Sequence, residues 1–503
     1  MNELLKGMKS VTNKTYTQNG AVTYKSTLSK VYDLFAQGAA MRGASEDECL
    51  RMFAQAYNED PTMALKCLFY LRDIRGGQGE RRFFRLCIKW LAIYHKKEME
   101  HLIALVAEYG RYDDLFVLFG TNLEDEMMGY IKYVIDKKED HLVYKWMPSI
   151  NASSRNTQER GRKFAHAFGM TEREYRKMLS EGRKACHLVE TLMSQNKWDQ
   201  IAFDKLPSRA GILYSKAFAR REETKDRYAA FMSSDKTKVN ASTLYPYDVV
   251  KKAREAMGGR YGYSAPLNDT NRLAANKYWD NLTDYFNGAT LNALCVCDTS
   301  GSMTGGYYGT NIAPIDVAIA LSLYTAERAK GPFKDHFISF SSHPTLIETT
   351  GVDFCEKVEN IYRQNLCENT NIEATFDLIL NTAIRKGLEQ SDLPETLIIV
   401  SDMQFDSARG YYSWGRESNT STLMEGIARK WERSGYDMPK LIFWNVNAAT
   451  GAGNIPMKDK DGITFVSGAS PAIFTQIMTG KTGQDLMREA LLSPRYEAIY
   501  SLK

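Results

Sequence analysis

The sequence predicts two architectures in series: an α-helical solenoid or ring over residues 1–288, then a doubly wound parallel-sheet α/β domain over residues 289–490. Three observations lead there. Apolar residues recur at three- and four-residue steps through the first part. Past residue 288, short β-rich runs alternate with helical stretches. The formal net charge of +4 divides unevenly, with about +10 on residues 1–290 and about −6 on residues 291–503, so the two parts are suited to different work.

Composition sets the outer limits. At 503 residues, with 44% hydrophobic and 25% charged residues, the chain is globular material for two or three domains. The opening MNELLKGMKSVTNKTYTQNG has no apolar h-region, and no stretch reaches about eighteen uninterrupted apolar residues, so a cytoplasmic protein is expected. Eight cysteines form no CxxC pair and no paired His spacing, which argues against a zinc site or a disulfide framework. They are expected as small core residues in a reducing compartment.

SKVYDLFAQGAAMRG, SEDECLRMFAQAYNED, PTMALKCLFYLRDIR, RRFFRLCIKWLAIYH and EMEHLIALVAEYG each predict an amphipathic helix. Short joints force such helices to stack antiparallel to bury their stripes. Ser45 with Glu48 is a capping-box pair. RGGQGERR, Arg75 to Arg82, has neither the GK[ST] ending nor the preceding strand of a P-loop. Its glycines, Gly76, Gly77 and Gly79, are expected in an interhelical turn with Arg75 and Arg81 paired locally; a phosphate contact is the second reading. A further helical block is expected from about residue 170 to 255. Trp90, Trp146 and Trp198 fall in apolar helical contexts and are expected in the core. AREAMGGRYGYSAPLNDTNRLAA, residues 253–275, reads as a loop joining the two parts, within a linker of about 253–288.

LNALCVC, KDHFISFS, PTLIET, ETLIIVS, KLIFWNV and GITFVSG are the expected strands, with helical stretches such as PIDVAIALSLYTAERAKG and NIEATFDLILNTAIRKG between them. Residues 491–503 are a separate segment, a candidate for packing back on the helical domain. Doubly wound sheets bind ligands beyond the carboxyl ends of their strands. LCVCDTSGSM ends a strand there, and Asp298, Ser300 and Ser302 follow at two-residue steps in a turn helped by Gly301. Thr370 stands before a helix, and Ser401 and Asp402 end the LIIVSDMQFD strand. Hydroxyls and few carboxylates suit a hard divalent cation that keeps several waters, Mg²⁺ or Mn²⁺. The plainer reading is that these residues cap strand ends and helix starts.

The order DxSxS, Thr, Asp across three strand-end loops resembles the metal-ion-dependent adhesion site of von Willebrand factor A domains. The resemblance implies a vWA fold for the second part and Asp298, Ser300, Ser302, Thr370 and Asp402 as Mg²⁺ (or Mn²⁺) ligands. It also implies an open coordination position for an Asp or Glu supplied by a partner protein. Where that family often has Gly-Gly-Thr, this chain has Glu-Asn-Thr.

LRDIRGGQGERRFF, YKWMPSINASS, GMTEREYRKMLSEGRK, LYPYDVV and the terminal SPRYEAI resemble the TROVE module of Ro autoantigen proteins, and most of all the uncharacterised prokaryotic, viral and plant branch of that superfamily. This implies a ring of HEAT-like helix pairs beside the vWA domain. It also implies small structured RNA on a basic outer face and single-stranded RNA ends in the hole of the ring. Residues 151–250 carry an excess of roughly seven basic residues, which suits phosphate neutralisation. The candidate RNA contacts are Arg162, Lys163, Arg176, Lys177, Arg183 and Lys184, interspersed with Glu172, Glu174 and Glu181; Tyr175 and His187 lie in the same stretch. A solvated helix face is the bland alternative.

Catalysis is not expected. Two-metal phosphoryl chemistry needs several carboxylates on ions about 4 Å apart, and this loop set offers two. The seven histidines fall in no recognisable nucleophile motif. The expected function is a non-catalytic, cytoplasmic, monomeric ribonucleoprotein component that holds small non-coding or misfolded RNA and docks a protein through a metal. The alternative is a metal-dependent protein-interaction scaffold that does not bind RNA.

Overall fold

The computed structural model describes residues 13–17, 21–257, 265–305, 313–340, 343–364, 371–405, 423–447, 455–457, 462–477 and 482–502. Apart from a short N-terminal hairpin it is helical up to residue 289 and α/β beyond, as the patterning predicts.

Helices Lys30–Gln37, Glu46–Glu59, Pro61–Arg72, Arg81–Tyr94 and Lys96–Tyr109 correspond to the five amphipathic stretches. The side chains of Ser45 and Glu48 close the expected capping box at the second, and Asp60 caps the third. The stripe of Arg81–Tyr94 buries Phe83, Phe84, Cys87, Ile88 and Leu91. Further helices include Glu124–Lys137, Arg155–Ala167, Glu172–Ala185, Ser208–Arg220, Lys225–Ser233 and Pro246–Ala256. The expected linker is largely not a loop. Thr270–Asp280 is a helix with Tyr278 and Trp279 buried, because Trp279 stacks on Phe354 with ring centroids 4.2 Å apart. The Gly-, Arg- and Tyr-rich residues 258–264 lie outside the described residues.

The RGGQGERR turn is a junction. Gly79 has φ +65° and lies under the Tyr245 hydroxyl; a Cβ on Gly77 would overlap the Tyr70 carbonyl, and one on Gly468 would overlap Gln78. Tyr247 is hydrogen-bonded to Arg42. The start of the helix Pro246–Ala256 therefore lies against the first helices at this turn.

A six-stranded sheet has the order β5–β4–β3–β6–β7–β8. The strands are β3 Ala293–Asp298, β4 His336–Phe340, β5 Thr345–Glu348, β6 Thr396–Ser401, β7 Lys440–Asn445 and β8 Ile463–Ser467, the six β-rich runs of the sequence. All neighbours pair in parallel except β4 with β5. Residues 341–344 are too few for a crossover, so β5 folds back antiparallel at the edge. A hairpin of β1 Lys14–Tyr16 and β2 Val22–Tyr24, absent from the sequence reading, bonds through Tyr24 to Ile455.

Each face of the sheet runs into the helical half. Leu294, Val296, Ile399 and Phe465 share a core with Tyr32, Phe35 and Phe69. Cys295, Cys297, Val400 and Trp444 share the other with Val249, Val250 and Trp279. Residues near the C-terminus lie on the first helices: Arg495 and the Tyr496 hydroxyl bind Asp73, Lys66 donates to the Tyr496 carbonyl at 2.9 Å, and Ser501 donates to Glu98 at 2.8 Å. No helix among the described residues is long and apolar enough to cross a membrane.

Candidate functional site

β3 and β6 are adjacent and parallel, so their carboxyl ends bring two of the three sequence-predicted loops together. Asp298 is fully buried at the end of β3, and Ser300 is nearly so. The Ser300 amide donates to Asp298 Oδ1 at 2.9 Å, and the Ser300 and Ser302 hydroxyls are 3.1 Å apart. Across the strand, the Ser401 hydroxyl donates to Asp298 Oδ2 at 2.6 Å. Asp402 is 4% exposed; its carboxylate accepts from the Gln404 amide at 3.1 Å and is hydrogen-bonded to Ser302. Ser302 itself is exposed, so the cluster opens to solvent on that side.

Local chain geometry turns these groups inward. Gly301 opens a 3-10 turn, Gly301–Thr304, with open space where its Cβ would be, so nothing crowds this turn into requiring glycine. After β6 the strained residue is Met403, at φ +61° and buried, with its amide folded back onto the Ser401 hydroxyl at 3.0 Å. Strain of this kind persists only where surrounding structure enforces it, and it concentrates at functional sites.

Burial sets the electrostatics of the cluster. Burial, and then the neighbouring Asp402, pushes the Asp298 carboxyl well above the usual carboxylate range, against hydrogen bonds from Ser300 and Ser401. Burial raises Asp402 as well, against the Gln404 amide and the Ser302 hydroxyl. Neither carboxylate has an ion-pair partner among the described residues. Two buried carboxyls ringed by hydroxyls, with no cationic partner among the described residues, are chemically suited to a hard divalent ion, which would neutralise both. Asp298, Ser300, Ser302 and Asp402 are the groups that fit such an ion. Thr370 lies outside the described residues. Ser401, which sequence reasoning noted but left out of the ligand set, orients Asp298; its position next to Asp402 at a strand end was the available signal.

The proposed RNA residues occupy the helices Arg155–Ala167 and Glu172–Ala185. Arg162 pairs with Glu172 at 3.0 Å, Lys163 with Glu124, and Lys177 with Glu181 at 3.9 Å. Arg176 donates to the Glu172 carbonyl at 3.2 Å, and Lys184 is exposed. Arg183 is half-buried and donates to the Tyr144 and Met147 carbonyls and the Ser149 hydroxyl, so its guanidinium is tied to the fold. Tyr175 is fully buried and donates to the Pro148 carbonyl at 2.9 Å, a core residue; His187 is exposed at φ +49°.

The family model for the domain of unknown function DUF2828 matches residues 17–141 and 144–289, more than half of the chain. This chain belongs to the DUF2828 family. A second domain of unknown function, DUF7788, matches residues 292–494, so the DUF2828 region ends where the helices give way to β3. The DUF2828 chain is similar to an uncharacterised protein of Acanthamoeba polyphaga mimivirus, 28% identical over 524 residues, covering 93% of this chain and 85% of the viral one. Among solved structures it is similar to the Ro (RSR) protein of Deinococcus radiodurans, with 14% identity and a TM-score of 0.37 over 95% of each chain.

Proposed function

We propose that this DUF2828 chain is a binding protein without catalytic activity, Ro-like in organisation. Its helical half holds small structured or single-stranded RNA, and its vWA-like half docks a protein through a divalent cation. The observation that carries the docking half is the buried Asp298–Asp402 pair, flanked by Ser300, Ser302 and Ser401 and without an ion-pair partner among the described residues. When bound, Mg²⁺ or Mn²⁺ would supply a positive centre that accepts one further carboxylate, from an Asp or Glu of the partner. This chain's residues hold the ion and leave Ser302 at the solvent side. The RNA half is supported by the basic excess of the helical region and by the Ro-like sequence resemblance. Among the described cysteines none is in a disulfide, which agrees with a cytoplasmic setting.

Calorimetry with Mn²⁺ tests the docking half. Wild type is expected to bind one ion and Asp298→Ala none, with helical circular dichroism unchanged; equal affinity in the two proteins removes the metal reading. Purification without nuclease, followed by sequencing of co-purifying nucleic acid, tests the RNA half.

One observation favours the second reading, a metal-dependent scaffold that binds no RNA. Arg162, Lys163 and Lys177 each have a carboxylate partner, which leaves less free positive charge on that face than the sequence suggests. A preparation free of RNA that also fails to bind RNA at low salt selects it.

A further inference from the structure

The strongest unassigned concentration of positive charge lies elsewhere, around the start of the helix Arg81–Tyr94. Arg85 and Arg111 share the Asp113 carboxylate there, Arg81 lies one turn before Arg85 on the same helix, and Arg160 of the helix Arg155–Ala167 lies within electrostatic range of Arg85. Two carboxylates serve them. Asp113 Oδ2 accepts from both Arg85 at 2.7 Å and Arg111 at 2.8 Å, while Asp114 is divided between Arg85 at 2.6 Å and the buried Arg72 at 2.8 Å. Glu124 lies beside Arg160 but is paired with Lys163.

Three arginines are incompletely satisfied. Arg81 is exposed, with no hydrogen bond or ion pair to a described residue, and it occupies the first position of a helix, where the backbone dipole disfavours a cation. Arg160 has no carboxylate within bonding distance among the described residues and rests on the Phe119 ring at 5.1 Å. Arg111 lies over the Trp146 ring at 4.0 Å, and its Nε is buried with no partner. Trp146, expected in the core, is partly buried against it beside these cations. Burial and then the neighbouring Arg85 depress the basicity of the half-buried Arg160, and Arg85 and Arg111 act in the same direction on Arg81 against Asp113 and Asp114.

We propose that Arg81, Arg85, Arg111 and Arg160 form a phosphate-binding pocket and that its ligand is the backbone of single-stranded RNA. Guanidinium forks match phosphate oxygens, and cations set against aromatic rings are the usual furniture of single-strand binding. The choice of RNA rests on the function proposed above; the pocket itself does not. The pocket also gives RGGQGERR a ligand role, since its expected local partner for Arg81 is absent among the described residues.

The test uses the full chain, a fluorescein-labelled oligouridylate and, separately, inorganic pyrophosphate. Arg81→Gln with Arg160→Gln is expected to weaken oligouridylate binding at least about tenfold and to flatten the salt dependence by about 1.4 in log–log slope. Arg81→Gln alone, which removes no internal partner, gives part of that loss and covers the case in which the double variant misfolds. Unchanged affinity and slope in a folded variant overturn the pocket, whatever Lys177→Gln with Lys184→Gln does. If wild type binds no RNA, the RNA reading fails, and pyrophosphate decides the pocket. Thermal stabilisation of wild type that the variant lacks supports it with a small phosphate ligand; stabilisation of neither, or of both equally, overturns it.

Discussion

Gly77 shows how little room a single position has. Its missing Cβ lets the turn lie on the Tyr70 carbonyl, beside which the Gln78 amide donates to that same oxygen at 3.1 Å. Gly77→Ala must displace backbone rather than a side-chain tip, so a loss of about 2 kcal/mol or more is expected in urea unfolding. Gly301→Ala meets open space and is expected to change stability by less than about 0.5 kcal/mol in the same assay. The sequence displays both glycines alike; only their neighbours separate them. Arg183 and Lys184 make the same point for charge. Arg183 bridges two carbonyls and a hydroxyl, whereas Lys184 projects into solvent. Arg183→Ala is expected to lower the melting temperature clearly and Lys184→Ala to leave it unchanged, as read by differential scanning calorimetry.

At the scale of elements, the C-terminal turn Pro494–Tyr496 is tied to the first helices by Asp73, which binds both Arg495 and Tyr496, and by Lys66 and Tyr109 on its carbonyls. Burial alone would raise the Asp73 carboxyl, but Arg495, the Arg75 amide and the Tyr496 hydroxyl outweigh burial and hold it below the usual range. A carboxylate depressed in the folded state contributes stability above its unfolded pKa, near about 4, and loses it as pH falls through the lower folded value. Arg495→Met is therefore expected to cost about 2 kcal/mol at neutral pH, less than a fully buried pair because Arg495 keeps a third of its side chain in solvent. The difference between variant and wild type should shrink below pH 4 in acid-unfolding curves. A constant difference across that range would assign the loss to packing against Tyr109 instead. The strands were legible because each is a short β-rich run, and the helices because each carries a stripe. The β1–β2 hairpin was not, since three-residue strands carry no usable period.

For the whole molecule, the helical and α/β parts are distinct in pattern but not in core. Tyr32 and Phe35 pack with Phe465, and Trp279 with Phe354 and Tyr324, so each part covers apolar surface of the other. Residues 1–288 expressed alone are expected to be degraded rapidly in limited proteolysis, and co-expression with residues 289–503 to restore resistance. A protease-resistant fragment 1–288 would show that the helical part folds independently.

The sequence by itself determined the two architectures, the junction near residue 289, the six strands and the loops bearing Asp298, Ser300, Ser302 and Asp402. These follow from local periodicity and from the rule that parallel strands present ligands at their carboxyl ends, and both are written in short stretches of chain. Tertiary structure alone decided that Ser401 bonds Asp298, that Arg183 is spent on carbonyls, that residues 270–280 form a packed helix and that Arg85 and Arg111 share Asp113. Each depends on which distant segment lies opposite a given side chain. Pairing, burial and repulsion act through space over a few ångströms, and the order of residues along the chain does not record that separation.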